Sequence, residues 1–172
     1  MKYVMKSGSL MSNGQQLVYI TGSLVQTDKK VVNKAGTVLL ELDIVDLETE
    51  NLEEELDHQY VMYNKERKVI LSAFPAYAEN NRPSEVGWPV CRMPKVDHAI
   101  IKAKNSEYTL QMLNNQNYCL YDIKKEIMVQ IYHRGIGGGW NIETKCQFEP
   151  EILCGLFVFC KYLEKENEFL IV

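Results

Sequence analysis

The residues of this sequence that could support catalysis are one cysteine and two histidines, Cys91, His98 and His133. A nucleophilic cysteine needs a nearby base that lowers the pKa of its thiol, and either histidine could serve if the fold brings it to Cys91. Two other cysteines, Cys154 and Cys160, lie in a strongly apolar stretch, where cysteine acts as a small hydrophobic residue. A thiol-dependent enzyme is therefore the alternative hypothesis, and a non-catalytic protein is the leading one.

The spacing of the residues gives little support to metal or phosphate binding. The histidines His58, His98 and His133 form no ligand pair of zinc spacing, and the acids of residues 41–57 lack the ligand order of a calcium-binding loop. The glycines between Gly135 and Gly139 precede a strand-like segment and no Walker lysine follows them, so they indicate a hairpin connection rather than a phosphate loop. The sequence predicts neither a metal site nor a cofactor.

Basic residues supply a second candidate site. The whole chain has 19 Lys and Arg against 23 Asp and Glu, which argues against a nucleic-acid-binding protein. Residues 60–145 nevertheless carry twelve basic residues against eight acidic ones. The predicted ligand-binding residues are Trp88, Arg92, Lys95, Lys102 and Lys104. A second interpretation places Lys102 and Lys104 on the outward side of an alternating strand, where charge keeps the surface soluble.

The elements that must position these residues are mainly β-strands. Three stretches share one pattern, in which a polar turn separates two apolar strand segments. They are Val31–Val38, Met62–Val69 and Leu120–Ile127. Asn or Asp opens each turn, where its side chain can bond the local backbone, so the pattern predicts β-hairpins. Further strands are predicted at Gln16–Gln26, Ala99–Ala103, Tyr108–Leu113, Gly139–Thr144 and about 168–172.

A single hydrophobic helix is predicted at about residues 150–163. Pro150 suits a first helical turn, and the residues from Ile152 to Cys160 contain no charge. A helix without a polar face must be buried, and this one is too short and too interrupted by charge to span a bilayer. A short surface helix is also predicted near residues 51–57, where Asn51 and Glu54 have capping-box spacing. The segment 74–94 is predicted to be an irregular loop.

The C-terminal half carries a resemblance to a known family. The matching residues are the hairpin from Tyr118 to Ile131, the strand Gly139–Glu143 and the segment from Phe148 to Leu153 that leads into the helix. In this order they resemble the tubby C-terminal superfold, which is shared by tubby-like proteins, phospholipid scramblases and LURP-one-related proteins, and the chain is most similar to bacterial members. The resemblance implies one domain over residues 1–172, a closed antiparallel β-barrel enclosing the hydrophobic helix.

The resemblance also bears on function. Tubby-like proteins hold phosphoinositide headgroups with basic side chains, and scramblase-like relatives are thought to bind calcium. We therefore expect a binding or scaffolding module, whose partner is a phospholipid headgroup or a protein, rather than nucleic acid. Five cysteines without CxxC spacing suit reduced thiols, and residues 1–16 lack the apolar run of a secretory signal, so the sequence predicts a cytoplasmic protein without a transmembrane segment.

Overall fold

The computed structural model describes residues 1–22, 27–47, 56–78, 95–114 and 116–167. These residues form twelve β-strands, one α-helix and a short 3-10 turn at Gly135–Gly137. The elements are β1 Lys2–Lys6, β2 Ser9–Ser12, β3 Gln15–Thr21, β4 Lys29–Asn33, β5 Val38–Asp46, β6 His58–Tyr63, β7 Val69–Tyr77, β8 Val96–Ala103, β9 Ser106–Asn114, β10 Asn117–Asp122, β11 Ile127–His133, β12 Trp140–Thr144 and α1 Pro150–Lys165.

The twelve strands close into one antiparallel barrel. Each strand pairs with its neighbours in the sequence, and β1 pairs with β12, where Tyr3 lies opposite Ile142. Eight strands already enclose a space that side chains fill, so a twelve-stranded barrel is wider than its own side chains can pack. The helix α1 fills this space, which confirms the predicted mainly β fold with a hydrophobic helix inside the barrel.

The composition of α1 follows from its surroundings. Every residue from Leu153 to Cys160 is buried, because strands surround the helix on all sides. Gly155 lets the helix approach the wall closely, since a Cβ atom built there would lie 2.3 Å from Met62 Cε and 3.3 Å from Leu42 Cδ2. The helix begins at Pro150 as predicted and continues two residues past the predicted end, to Lys165.

Hairpin topology gives the barrel two distinct ends. Connections that follow even-numbered strands all lie at one end, and because α1 follows β12, the helix enters the barrel there. We call this the entry end, and its connections are residues 13–14, 34–37, 64–68, 104–105, 123–126 and 145–149. The C-terminus of α1 lies at the opposite end, the exit end, where odd-numbered strands finish.

Three of the entry-end turns have the same geometry. The side-chain Oδ1 of Asn33, Asn64 and Asp122 each accepts hydrogen bonds from the backbone N–H groups two and four residues later, at 2.8 to 3.1 Å. The fourth residue of each turn has a left-handed conformation, with φ of 80° at Gly36, 56° at Arg67 and 63° at Lys125. These are the three predicted hairpins, and the side-chain bonding expected of Asn and Asp is confirmed.

Polar contacts fix the C-terminus of α1 to the wall at the exit end. The carboxylate of Glu166 lies 2.7 Å from His58 Nε2 and accepts a hydrogen bond of 2.6 Å from the Tyr60 hydroxyl. On its other side, His58 Nδ1 lies 3.1 Å from Asp57 Oδ1. These two carboxylates hold the pKa of His58 at about 9, above its ordinary value of 6.5, although burial opposes the shift. His58 is therefore a cation at neutral pH.

Several predicted boundaries need correction. The helix near 51–57 is wrong for its last two residues, since Leu56 and Asp57 are not helical; Leu47 N–H donates to the Asp57 carbonyl at 2.5 Å and extends the β5–β6 pairing. Residues 51–55 and the predicted last strand at 168–172 lie outside the described residues, as do residues 23–26 of the strand predicted at Gln16–Gln26.

The predicted loop at 74–94 is also wrong at its start, because Phe74–Tyr77 belongs to β7. Pairing with β6 ends at Ala73, so Pro75 lies where the strand has a partner only in β8, and a missing N–H is tolerated there. The acidic segment 41–57 likewise begins inside β5, where Leu40, Leu42 and Ile44 alternate with acids in the two-residue period of a strand.

The contact at Gly155 predicts a specific packing penalty. Gly155→Leu should lower the free energy of unfolding by about 2 kcal/mol, because the new side chain overfills the space occupied by Met62. In a Met62→Ala background, the same change should cost clearly less, since the shortened side chain leaves room. Urea unfolding of the two single variants and the double variant measures this coupling. Lys165→Leu, at an exposed position of the same helix, is the control, and strictly additive costs would contradict the contact.

The cluster around His58 predicts a pH-dependent stability. Because the folded pKa is raised, the stabilisation is complete below pH 6.5 and is lost as the pH rises through about 9. Relative to His58→Gln, the native protein should lose about 1 to 2 kcal/mol of unfolding free energy between pH 6.5 and 9.5. Urea unfolding across this range measures the difference, and Glu166→Gln should flatten the curve in the same way. Parallel curves for native protein and His58→Gln would contradict the assignment.

Candidate functional site

The structure divides the predicted basic cluster between the two ends of the barrel. Lys95 precedes β8 at the exit end, whereas Lys102 lies near the other end of this strand and Lys104 follows it in the entry-end turn. Seven residues of extended chain separate Lys95 from Lys102, a distance of about 23 Å. The Lys102 ammonium lies 4.9 Å from the centre of the Phe74 ring, so its stem packs along the outer face of the wall. Trp88 and Arg92 lie outside the described residues.

The two histidines of the alternative hypothesis lie on separate strands. His98 is on β8 and His133 is on β11, with β9 and β10 between them in the wall. Ala99 and Ile101 are buried inside the barrel, so His98 faces outward, where its Nδ1 lies 2.6 Å from Asp97 Oδ1. The structure therefore does not bring the two histidines together. Cys91, the proposed nucleophile, lies outside the described residues.

His133 takes part in an aromatic contact at the exit end. Its ring packs edge-on against Trp140, with centroids 5.1 Å apart, and Trp140 packs in the same manner against Phe157 of α1. The Lys161 ammonium lies 4.3 Å from the centre of the Trp140 ring. The Trp140 indole N–H has no hydrogen-bond partner among the described residues. These contacts connect His133 to the helix through Trp140.

The helix cysteines are unsuited to nucleophilic chemistry. Cys154 and Cys160 are both fully buried. Burial raises the pKa of the Cys154 thiol to about 12, and it also raises the pKa of Cys160. A reactive cysteine needs a lowered pKa and access to substrate, so these two residues act as small core residues, as the apolar sequence around them predicts.

The entry end concentrates positive charge on one face of the molecule. Its six connections carry eight Lys or Arg and three Glu, within a chain whose overall formal charge is −4. All eight cationic residues are exposed, and they are Lys34, Lys65, Arg67, Lys68, Lys104, Lys124, Lys125 and Lys145. We call this set the basic face. Arg67 lies 3.6 Å from Glu41, while its side chain remains 80% exposed.

Two apolar side chains are exposed beside these cations. Ile123 is 82% exposed in the turn between β10 and β11, directly before Lys124 and Lys125, and Val69 is 55% exposed directly after Lys68. The shared geometry of the three Asx turns explains why Ile123 is exposed. It occupies the turn position that Lys34 and Lys65 occupy in the other two turns. At the exit end, Ile136 is also exposed, without a comparable set of lysines in its turn.

An apolar slot opens between the helix and the wall near the basic face. Its volume is about 160 Å³. Strands β7 to β10 form one side, and the first turns of α1 form the other. The lining residues are Ile70, Leu71, Ile101, Ala103, Tyr108, Leu120, Phe148, Ile152 and Leu156. The basic face, with its exposed isoleucine and this slot, is the candidate binding site.

Most of this site was missed at the level of sequence. Lys104 was among the predicted residues, but the other seven cations of the basic face are scattered over four further connections. A signal was nevertheless present, because every other hairpin of an antiparallel barrel lies at the same end. The turns of the three predicted hairpins all lie at one end for this reason, and they contain six of the eight cations.

Metal sites, membrane-spanning helices and relatives give no further assignment to the described part of the chain. Among the described residues, no group of three or more His, Cys, Asp or Glu could hold a metal ion. No helix in that part of the chain has the length and apolar character needed to cross a membrane. No family model, no curated protein and no solved structure matches this chain.

Proposed function

We propose that this chain is a non-catalytic binding module that docks its basic face on an anionic phospholipid surface. The observation that carries the proposal is the placement of eight exposed cations on one end of a rigid barrel, in a protein that is negative overall. Each Lys or Arg near an anionic membrane contributes about 1 kcal/mol of attraction. A face with a net charge of this sign orients the molecule before contact.

The shape of the basic face supports a membrane over a folded partner. The cations come from short turns that end at the same side of the barrel, so the face is broad and suits a flat surface. Ile123 extends beyond its strand between charged neighbours, and an exposed apolar side chain beside lysines is suited to the interface between headgroups and acyl chains. The tubby-like resemblance, which we propose as the family assignment, supports the same ligand class.

The proposal retains only part of the predicted ligand set. Lys102 and Lys104 lie at the entry end and belong near the docked surface, whereas Lys95 lies at the other end and is not part of it. The alternative thiol enzyme pairs Cys91 with His98 or His133; Cys91 lies outside the described residues, and the two histidines lie on separate strands. The side-chain hydrogen bonds of His98 and His133 within the described part of the chain join residues one or two positions away, Asp97 and Gly135.

Charge reversal at the two ends tests the proposal directly. Lys104→Glu, Lys124→Glu and Lys125→Glu together should weaken co-sedimentation with vesicles of phosphatidylcholine and phosphatidylserine at least tenfold. The matched control reverses Lys6, Lys95 and Arg134, which are exposed at the exit end and change the net charge equally. This control should retain most of the binding, and native binding should fall as salt rises. Equal effects of the two triple variants would contradict the proposal.

The exposed isoleucine gives a second test with its own control. Ile123→Ser should weaken vesicle binding about fivefold, because the side chain loses apolar burial at the interface. Ile136→Ser removes a still more exposed isoleucine at the exit end and should leave binding unchanged. The same co-sedimentation assay, at constant salt, measures both. A larger effect at Ile136 would mean that the wrong end has been assigned.

A further inference from the structure

The apolar slot is placed where a docked lipid could reach it. The strands that form its wall continue directly into the turns of the basic face. β7 begins after Lys68, β8 ends before Lys104, and β10 leads into the turn that carries Lys124 and Lys125. The turns that connect these strands therefore place cations at the opening of the slot.

The lining of the slot is selective for an apolar occupant. Eight of its nine lining residues are aliphatic or phenylalanine, and Tyr108 supplies the one hydroxyl. On the helix side, Ile152 and Leu156 are four residues apart, so they lie on the same face of α1, and Phe148 precedes the helix at the same interval. Protein interiors are otherwise close-packed, so an open apolar slot of this kind exposes surface that an apolar ligand would cover.

The volume limits what can enter. A cavity of about 150 Å³ lined by Leu, Ile and Phe holds a molecule of benzene, whereas sites for larger organic ligands measure about 300 to 1,000 Å³. At about 160 Å³ the slot accommodates roughly six carbon atoms. That is a segment of one hydrocarbon chain, and the rest of a lipid would have to remain outside.

We propose that the slot receives the end of one acyl chain of the anionic lipid on which the basic face docks, while the lysines hold its phosphate. This inference rests on the proposed function. It adds a second determinant to membrane binding: the lysines provide attraction to any anionic surface, and the slot provides a preference for lipids whose chain can leave the bilayer. Because cations border the opening of the slot, an anionic amphiphile is favoured over a neutral one.

Nuclear magnetic resonance with soluble alkyl phosphates tests the slot. Hexyl phosphate should shift the methyl signals of Ile101, Ile152 and Leu156, whereas ethyl phosphate, with the same headgroup, should shift only signals near the lysines. Ala103→Leu places three more carbons in the slot and should weaken hexyl phosphate binding at least tenfold. Ala35→Leu, at an exposed turn of the same end, is the control and should leave it unchanged. Urea unfolding of both variants checks that the barrel is intact.

Vesicle binding separates this inference from the proposed function. If Ala103→Leu weakens vesicle binding several-fold and the charge-reversal triple weakens it further, both stand. Two results would contradict the slot inference while vesicle binding still supports the proposed function. One is that hexyl and ethyl phosphate give the same shifts, and the other is that Ala103→Leu and the native protein bind hexyl phosphate equally. If hexyl phosphate enters the slot but vesicles do not bind, the slot takes an alkyl chain, and the proposal that this chain comes from a membrane lipid is wrong.

Discussion

The width of a twelve-stranded barrel is the constraint on which this structure depends. A wall of that circumference leaves an interior that its own side chains cannot fill, so a hydrophobic helix must occupy it. This requirement explains why α1 is apolar on all sides, why Gly155 allows contact with Met62, and why two of the cysteines are fully buried. The slot lies between this helix and the wall, where the first turns of α1 face strands β7 to β10.

The same topology separates two chemical environments. At the exit end, the polar groups of the helix C-terminus are paired. Glu166 binds the wall residues His58 and Tyr60, and Lys161 pairs with Glu164 of the same helix. The Tyr162 hydroxyl donates to the Thr27 carbonyl in the β3–β4 connection. At the entry end, the turn cations are exposed and their neighbours include an exposed isoleucine. A protein with a net charge of −4 thus presents one positive face. The exit end anchors the helix, and the entry end is the surface through which we propose that the protein docks.

Sequence reasoning succeeded where the determinants were local. The three Asx turns and the buried helix are encoded within about fifteen residues each, and all four were predicted. Longer relationships could not be read in this way. The contact between His58 and Glu166 spans 108 residues, and Lys95 and Lys102 are close in sequence but lie at opposite ends of one strand. Helix capping spacing near Asn51 was misleading at Asp57, where pairing with Leu47 prevails over local propensity. The slot arises from five separate segments and has no sequence signature of its own.

Docking through the basic face requires that the entry end of the barrel, and not the exit end, meets the membrane. The depth of one residue at each end distinguishes the two orientations. An environment-sensitive fluorescent amino acid would replace Ile123 in one protein and Ile136 in another, which are exposed residues at opposite ends. With anionic vesicles, the probe at position 123 should shift its emission to the blue, and the probe at position 136 should report water. With neutral vesicles neither should shift. A blue shift at position 136 alone, or equal shifts at both positions, would contradict docking through the basic face.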